Sequence, residues 1–114
     1  MPTAASPTDP VTDVFTSQLG VRGLAARSFS VASGGDISVT PQSLGPPADL
    51  TLGLGVGLPL ANGAGCNLNR SIVTAASESP QVTVTADGRS YCVRVYDVGN
   101  LTGEVSFSIS LLHP

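Results

Sequence analysis

Lysine and tryptophan are missing from this chain of 114 residues, and histidine occurs once, as His113. The five basic residues are all arginine, namely Arg22, Arg27, Arg70, Arg89 and Arg94. With eight acidic residues they leave a net charge of −3. Nucleic-acid phosphates call for a basic patch, so this balance argues against DNA or RNA as a partner. Charged residues make up only 11% of the chain, where an average globular protein has about 25%. Long apolar runs are also missing. A membrane-crossing helix needs roughly 18–20 continuous apolar residues, and the longest weakly polar run, Leu50 to Leu60, is broken by glycines and Pro59. The opening MPTAASPTDP has neither the basic start nor the apolar segment of a signal peptide.

The single histidine limits catalysis. His113 stands next to Pro114, where a terminus is expected to fray and nothing in the sequence fixes a tautomer or a partner, so it reads as a poor general base. A serine triad needs that histidine inside a pocket. No pair of carboxylates is singled out for glycoside chemistry. GLGVG lies within a strand pattern with no lysine after it, so it is not a phosphate loop. The expectation is a protein that is not an enzyme and carries no cofactor, with calcium, considered below, as the one alternative.

What the chain does contain is 13 glycines, 9 prolines and many serine, threonine and valine residues, a composition that suits a turn-rich β-domain. A hydrophobic fraction of 41% and a mean hydropathy of +0.26 argue against disorder. The length fits one domain that buries roughly two thirds of its unfolded surface. Residues 1–12, rich in proline, threonine, alanine and serine, read as a flexible linker or arm, with the folded domain at 13–114. Met1 reads as a start that replaces a removed signal, and the arm as the segment following a cleavage site or lipid anchor. The alternative is a cytosolic N-terminus.

From residue 14 the chain breaks into short alternating runs separated by turn residues. VFTSQLG is a modest first strand. RSFSVAS sets Phe29 and Val31 on one face and stops at Gly34-Gly35-Asp36. DISVTPQSL places Ile37 and Val39 inward, with Pro41 marking a strand end or an edge. LTLGLGVGL is the clearest period-2 segment, with Leu50, Leu52, Leu54, Val56 and Leu58 on one face and Gly53, Gly55 and Gly57 on the other. Glycine weakens a strand, so its repetition implies close approach of another backbone or side chain, or else a flat surface for an aromatic ligand. Residues 59–71 read as a long loop carrying Cys66. SIVTAAS, QVTVTAD with Val82 and Val84 inward, RSYCVRVYD and EVSFSISLL complete the set. No sustained helical spacing and no internal repeat is present. About eight strands point to an all-β, antiparallel two-sheet sandwich.

In residues 90–97 the alternation sends Tyr91, Val93 and Val95 to the core and turns Cys92, Arg94 and Tyr96 to the other face. Cys66 and Cys92 are the only cysteines, and the simplest reading is one structural disulfide. Zinc wants four nitrogen or sulfur ligands, which the chain does not offer, and no CxxC spacing supports redox chemistry. A disulfide favours an extracytoplasmic setting. Asp97-Val98-Gly99-Asn100 reads as a turn between strands, because Asp and Asn bond nearby backbone and glycine supplies positive φ. The alternative is a calcium site with Asp97 and Asn100 among its oxygen ligands. Tyr91 and Tyr96 are the only tyrosines, so carbohydrate binding is not advertised by aromatic platforms. Asn69-Arg70-Ser71 and Asn100-Leu101-Thr102 match a glycosylation acceptor pattern that short motifs meet by chance.

The succession GGDISVTPQSL, ADLTLGLGVG, a loop cysteine, then GRSYCVRVYDVGNLTGEVSFSISLLHP resembles the bacterial pre-peptidase C-terminal (PPC) domain group. More closely, it resembles the PPC-like domains of secreted or lipid-anchored bacterial proteins. The resemblance covers roughly residues 13–114 and is most specific at G-x-x-Y-C-V-x-V-Y-D-x-G-N-L-T with the terminal His-Pro. Gly88 lies three residues before Tyr91, where the family pattern has two. The resemblance implies a jelly-roll-like β-sandwich, exported and usually appended to proteases or surface proteins, mostly non-catalytic. Some relatives bind collagen or calcium, but their ligand residues do not map onto this chain one by one.

Two classes of function follow as expectations. One is a secreted or lipid-anchored module that binds an extracellular protein or polysaccharide. The other is a structural subunit that binds itself, through the N-terminal arm or an edge strand, to form a surface polymer.

Overall fold

A computed structural model describes residues 10–47, 49–60 and 65–114. Its eight strands are β1 (Val11–Leu19), β2 (Leu24–Ser30), β3 (Gly35–Gly45), β4 (Leu52–Pro59), β5 (Cys66–Thr74), β6 (Val82–Ala86), β7 (Ser90–Tyr96) and β8 (Val105–His113). They form two antiparallel four-stranded sheets. Sheet A has the order β1-β8-β3-β6 and sheet B the order β2-β7-β4-β5. Strand 1 pairs with 8, 2 with 7, 3 with 6 and 4 with 5. The chain is thus a long double ribbon rolled up on itself. The β3–β8 and β4–β7 pairs close the roll into two facing sheets, the eight-stranded jelly-roll arrangement. The all-β sandwich expected from alternation is the observed fold.

Alternation builds the core. Ile37, Val39, Val93, Ile109 and Leu111 are wholly buried, and Leu52, Leu54, Val56, Val95 and Phe107 nearly so. Phe15 of β1 meets Phe107 edge-on, with ring centroids 5.1 Å apart. Burying side chains of this size contributes roughly 1.5–3 kcal/mol each, so the two facing rows hold the sheets together.

Four expectations are adjusted. Cys66 does not lie in a loop but opens β5, which runs from Cys66 to Thr74, not from Ser71 to Ser77. This edge strand is exposed along most of its length, so polar residues occur on both faces and hide the period-2 signal. A bulge at Asn69, between the pairs Val56–Arg70 and Gly57–Leu68, breaks the alternation further. Pro41 lies inside β3, not at its end. Pairing with β6 stops at Val39 and a register shift follows between Pro41 and Ser43, so the missing N–H falls where the ladder to β6 has already ended. The first strand starts at Val11, inside the segment read as the arm; residues 1–9 of that arm lie outside the described residues. His113 is not frayed: it is the last residue of β8 and only 3% exposed. The long apolar alternation of β8 carries it inward behind Leu111. Among the described residues no helix is long and apolar enough to cross a membrane.

Candidate functional site

The connection after β7 is a tight backbone clasp built on one carboxylate. Asp97 Oδ1 accepts hydrogen bonds from the amides of Gly99 (2.9 Å), Asn100 (2.9 Å) and Leu101 (3.2 Å). Its Oδ2 accepts one from the Arg22 amide at 2.8 Å. Gly99 takes φ 102°, a conformation natural to glycine. The Arg22 amide above all holds the Asp97 carboxyl below its ordinary value; desolvation opposes it, and the amides of Gly99, Asn100 and Leu101 add to the lowering. Asn100 is fixed in turn. Its Nδ2 donates to the Thr51 carbonyl at 3.0 Å and to Thr51 Oγ1 at 2.7 Å.

Calcium takes about six to eight oxygen ligands. Here both Asp97 oxygens already accept backbone N–H groups, and Asn100 turns its amide nitrogen to Thr51. Among the described residues no group of three or more histidine, cysteine or acidic side chains gathers to hold an ion. These bonds tie Asp97 and Asn100 to the backbone around them.

The clasp shapes one wall of an open cleft of about 240 Å³. Pro46, Pro47 and Leu50, in the connection between β3 and β4, face Leu101 and Val105 across it. Asn100, Thr102, Gly103 and Glu104 supply its polar rim. Leu50 and Leu101 are buried where they meet the core, which anchors both walls. The cleft is a mixed apolar and polar hollow, somewhat smaller than most small-molecule pockets. In the sequence, Gly45-Pro46-Pro47 is legible only as a chain break and Thr102-Gly103-Glu104 carries no motif. The topology brings the two connections together at one pole of the sandwich.

The glycine face of β4 is occupied by the chain itself. A Cβ at Gly53 would run into the Tyr96 ring, and one at Gly55 would come within 2.7 Å of Leu68 Cδ1. At Gly57 it would meet the backbone of Asn67 and Leu68. Close approach is therefore the reason for the glycines, and the aromatic ring on their surface is the protein's own Tyr96. The intrusion of β5 over Gly57 also explains how Cys66 and Cys92 pair. Cys92 lies opposite Gly57, and Cys66 lies opposite Pro59 on the other side of β4. Two strand spacings would part them by roughly 9–10 Å, yet their Cα atoms are 5.8 Å apart in the Cys66–Cys92 disulfide.

At the opposite pole His113 Nε2 lies 2.8 Å from Asp13 Oδ2 and Nδ1 lies 2.9 Å from the Pro114 carbonyl oxygen. Its ring packs on Phe29 with centroids 5.0 Å apart. The partner that the sequence did not disclose is Asp13, brought alongside by the β1–β8 register, in which Val11 faces His113. With both nitrogens engaged and the ring buried, His113 joins strands and is closed to a substrate.

No protein-family model matches the chain, and no curated protein matches it. Among solved structures it is similar to the pre-peptidase C-terminal domain of a collagenase from Bacillus anthracis. The two are 18% identical over 85% of each chain, with a TM-score of 0.46. That is the domain type which residues 13–114 resemble in sequence. The architecture itself stands on the strand pairing of this chain, and no activity is carried across from the collagenase.

Proposed function

We propose that this chain is a non-catalytic β-sandwich module, secreted or lipid-anchored, that binds a protein or polysaccharide at the cell exterior. The ligand enters the cleft between Pro46–Pro47–Leu50 and Asn100–Val105. The observation that carries this reading is the cleft itself, apolar-walled and polar-rimmed, with the Asp97 clasp fixing the backbone of the turn beside it. Its volume suits one side chain or one sugar unit of a larger partner. The buried, doubly engaged His113 supports a non-catalytic role, and the disulfide supports a setting outside the reducing cytoplasm. In this reading Asp97 and Asn100 serve the backbone and no calcium is required.

Gly103 supplies the test. A Cβ there meets nothing within 4 Å, so Gly103→Tyr adds a bulky ring to the cleft lining without forcing the fold. The oxidised protein is screened against glycan and peptide arrays, and each hit is titrated against both forms. Saturable binding by the parent that weakens at least about tenfold in Gly103→Tyr, some 1.4 kcal/mol, at an unchanged melting temperature is the expected result. Equal binding by the two forms, or no saturable binding in either array, rejects the cleft as the ligand site.

A further inference from the structure

The cleft holds a single charged side chain. Its walls are proline, leucine and valine, its rim adds an asparagine, a threonine and a glycine, and the one charge among them is the Glu104 carboxylate. Glu104 is exposed, and among the described residues the one ion pair is His113–Asp13 at the opposite pole. The carboxylate at the cleft therefore has no ionic partner in its own chain.

No arginine lines the cleft, and each of the five is placed elsewhere. Arg27 donates to the Val14 carbonyl, and Arg94 lies over the Tyr96 ring on the outer face of sheet B. Arg70 belongs to β5, and Arg89 precedes β7 at the far pole. Arg22 meets the Asp97 turn through its backbone amide. Two further acids stand at the pole of the cleft. Asp97 is committed to four backbone amides, whereas Asp49, exposed in the connection that carries Pro47 and Leu50, adds to the negative field.

Apolar walls with an unpaired carboxylate at the rim select a group that is apolar along its length and cationic at its tip. Lysine and arginine side chains have that build, an aliphatic stem that packs on apolar surface and a charged head. A neutral sugar would leave the carboxylate unmatched, and an acidic one would meet like charge.

We infer that the cleft receives a lysine or arginine side chain of a protein partner, its stem against the proline and leucine walls and its head at Glu104. The inference rests on the cleft being the ligand site, and it narrows the partner to a basic polypeptide segment. The role of Glu104 is to choose the head group, while the walls hold the stem.

The test titrates the oxidised chain by NMR with blocked peptides Gly-Gly-Xaa-Gly-Gly, in which Xaa is lysine, arginine, norleucine, citrulline or glutamate. Norleucine and citrulline keep the stems and remove the charge. Glu104→Gln keeps the shape of the rim and removes its charge; the position is exposed, so an unchanged melting temperature is checked first. The expected result is saturable shifts of the Leu101–Val105 amides with lysine, arginine or both, stronger than with the neutral counterpart, and none with glutamate. In Glu104→Gln that preference should vanish, through a loss of about three- to fivefold in affinity, the scale of an exposed ion pair. Added salt should narrow the same gap.

Equal binding of the charged and neutral peptides overturns the inference and leaves the cleft as the ligand site. So does an undiminished preference in Glu104→Gln, or binding of a neutral glycan that Gly103→Tyr abolishes in a protein indifferent to every peptide. Lysine binding that Gly103→Tyr leaves intact is general attraction to an acidic protein, and it overturns the inference as well. Binding of neither peptide nor glycan rejects the cleft and the inference together.

Discussion

Asp97 shows how much local geometry one side chain can govern. Its two oxygens accept four backbone amides, and one of these belongs to Arg22, which holds φ 61°. That left-handed conformation is uncommon for a non-glycine residue, and the bond to Asp97 helps to keep it. The folded carboxyl titrates below its ordinary 3.8. A group lowered on folding stabilises the protein at every pH above its unfolded value. The contribution is then lost as pH falls through 3.8 toward the lower folded value. Asp97→Asn removes the charge and sets an N–H where an acceptor stood. Thermal melts at neutral pH should therefore place Asp97→Asn below the control Asp49→Asn, with the gap closing as the pH is brought below 3.8. A gap that persists unchanged in acid would mean that the carboxylate charge is not what holds the turn. Melts of the parent in calcium and in EDTA should coincide, because the Asp97 carboxylate is already committed to four backbone amides.

At the scale of the strand, β5 and its disulfide carry the clearest energetic statement. The bridge closes a separation of 26 residues, which in the chain-entropy model stabilises the fold by roughly 3–4 kcal/mol. The double variant Cys66→Ser/Cys92→Ser should lose about that much in denaturant unfolding. Amide exchange should quicken first in β5, which has only β4 as a ladder partner. Uniform loss of protection across both sheets would show the bridge acting on the unfolded chain alone. The strands also mark what could be read in advance. β4, β7 and β8 alternate cleanly because each is an interior strand with one face on the core, so Leu52, Val93 and Phe107 were legible as core. β5 was not, because an exposed edge strand has no face that must be apolar. Asp97 and Asn100 were legible as a turn from residue type, but the Arg22 and Thr51 contacts join segments far apart in sequence, and no local pattern encodes them. His113 was misjudged for the same reason: its place beside Asp13 depends on β1 lying against β8, a pairing visible only in the topology. The cleft, assembled from two connections, was invisible until both were placed.

For the whole molecule the governing feature is the rolled ribbon, in which the first described strand pairs with the last. Almost every ladder except β4–β5 joins distant parts of the chain, so loop-closure entropy must be met before contacts compensate for it. Refolding of the oxidised protein, followed by stopped-flow tyrosine fluorescence, should fall in the slow range of all-β domains, about milliseconds to seconds. Microsecond refolding would mean that local structure forms ahead of the roll. The same β1–β8 pairing has a mechanical consequence. Val11 and His113 face each other at one pole, as the outermost rungs of an antiparallel ladder. Tension drawn between those two points would load a single rung at a time and peel β1 away in sequence, with Asp13–His113 among the first contacts to part. The opposite pole, with the cleft and the Asp97 clasp, would feel none of that strain until the zipper had run the length of the strand.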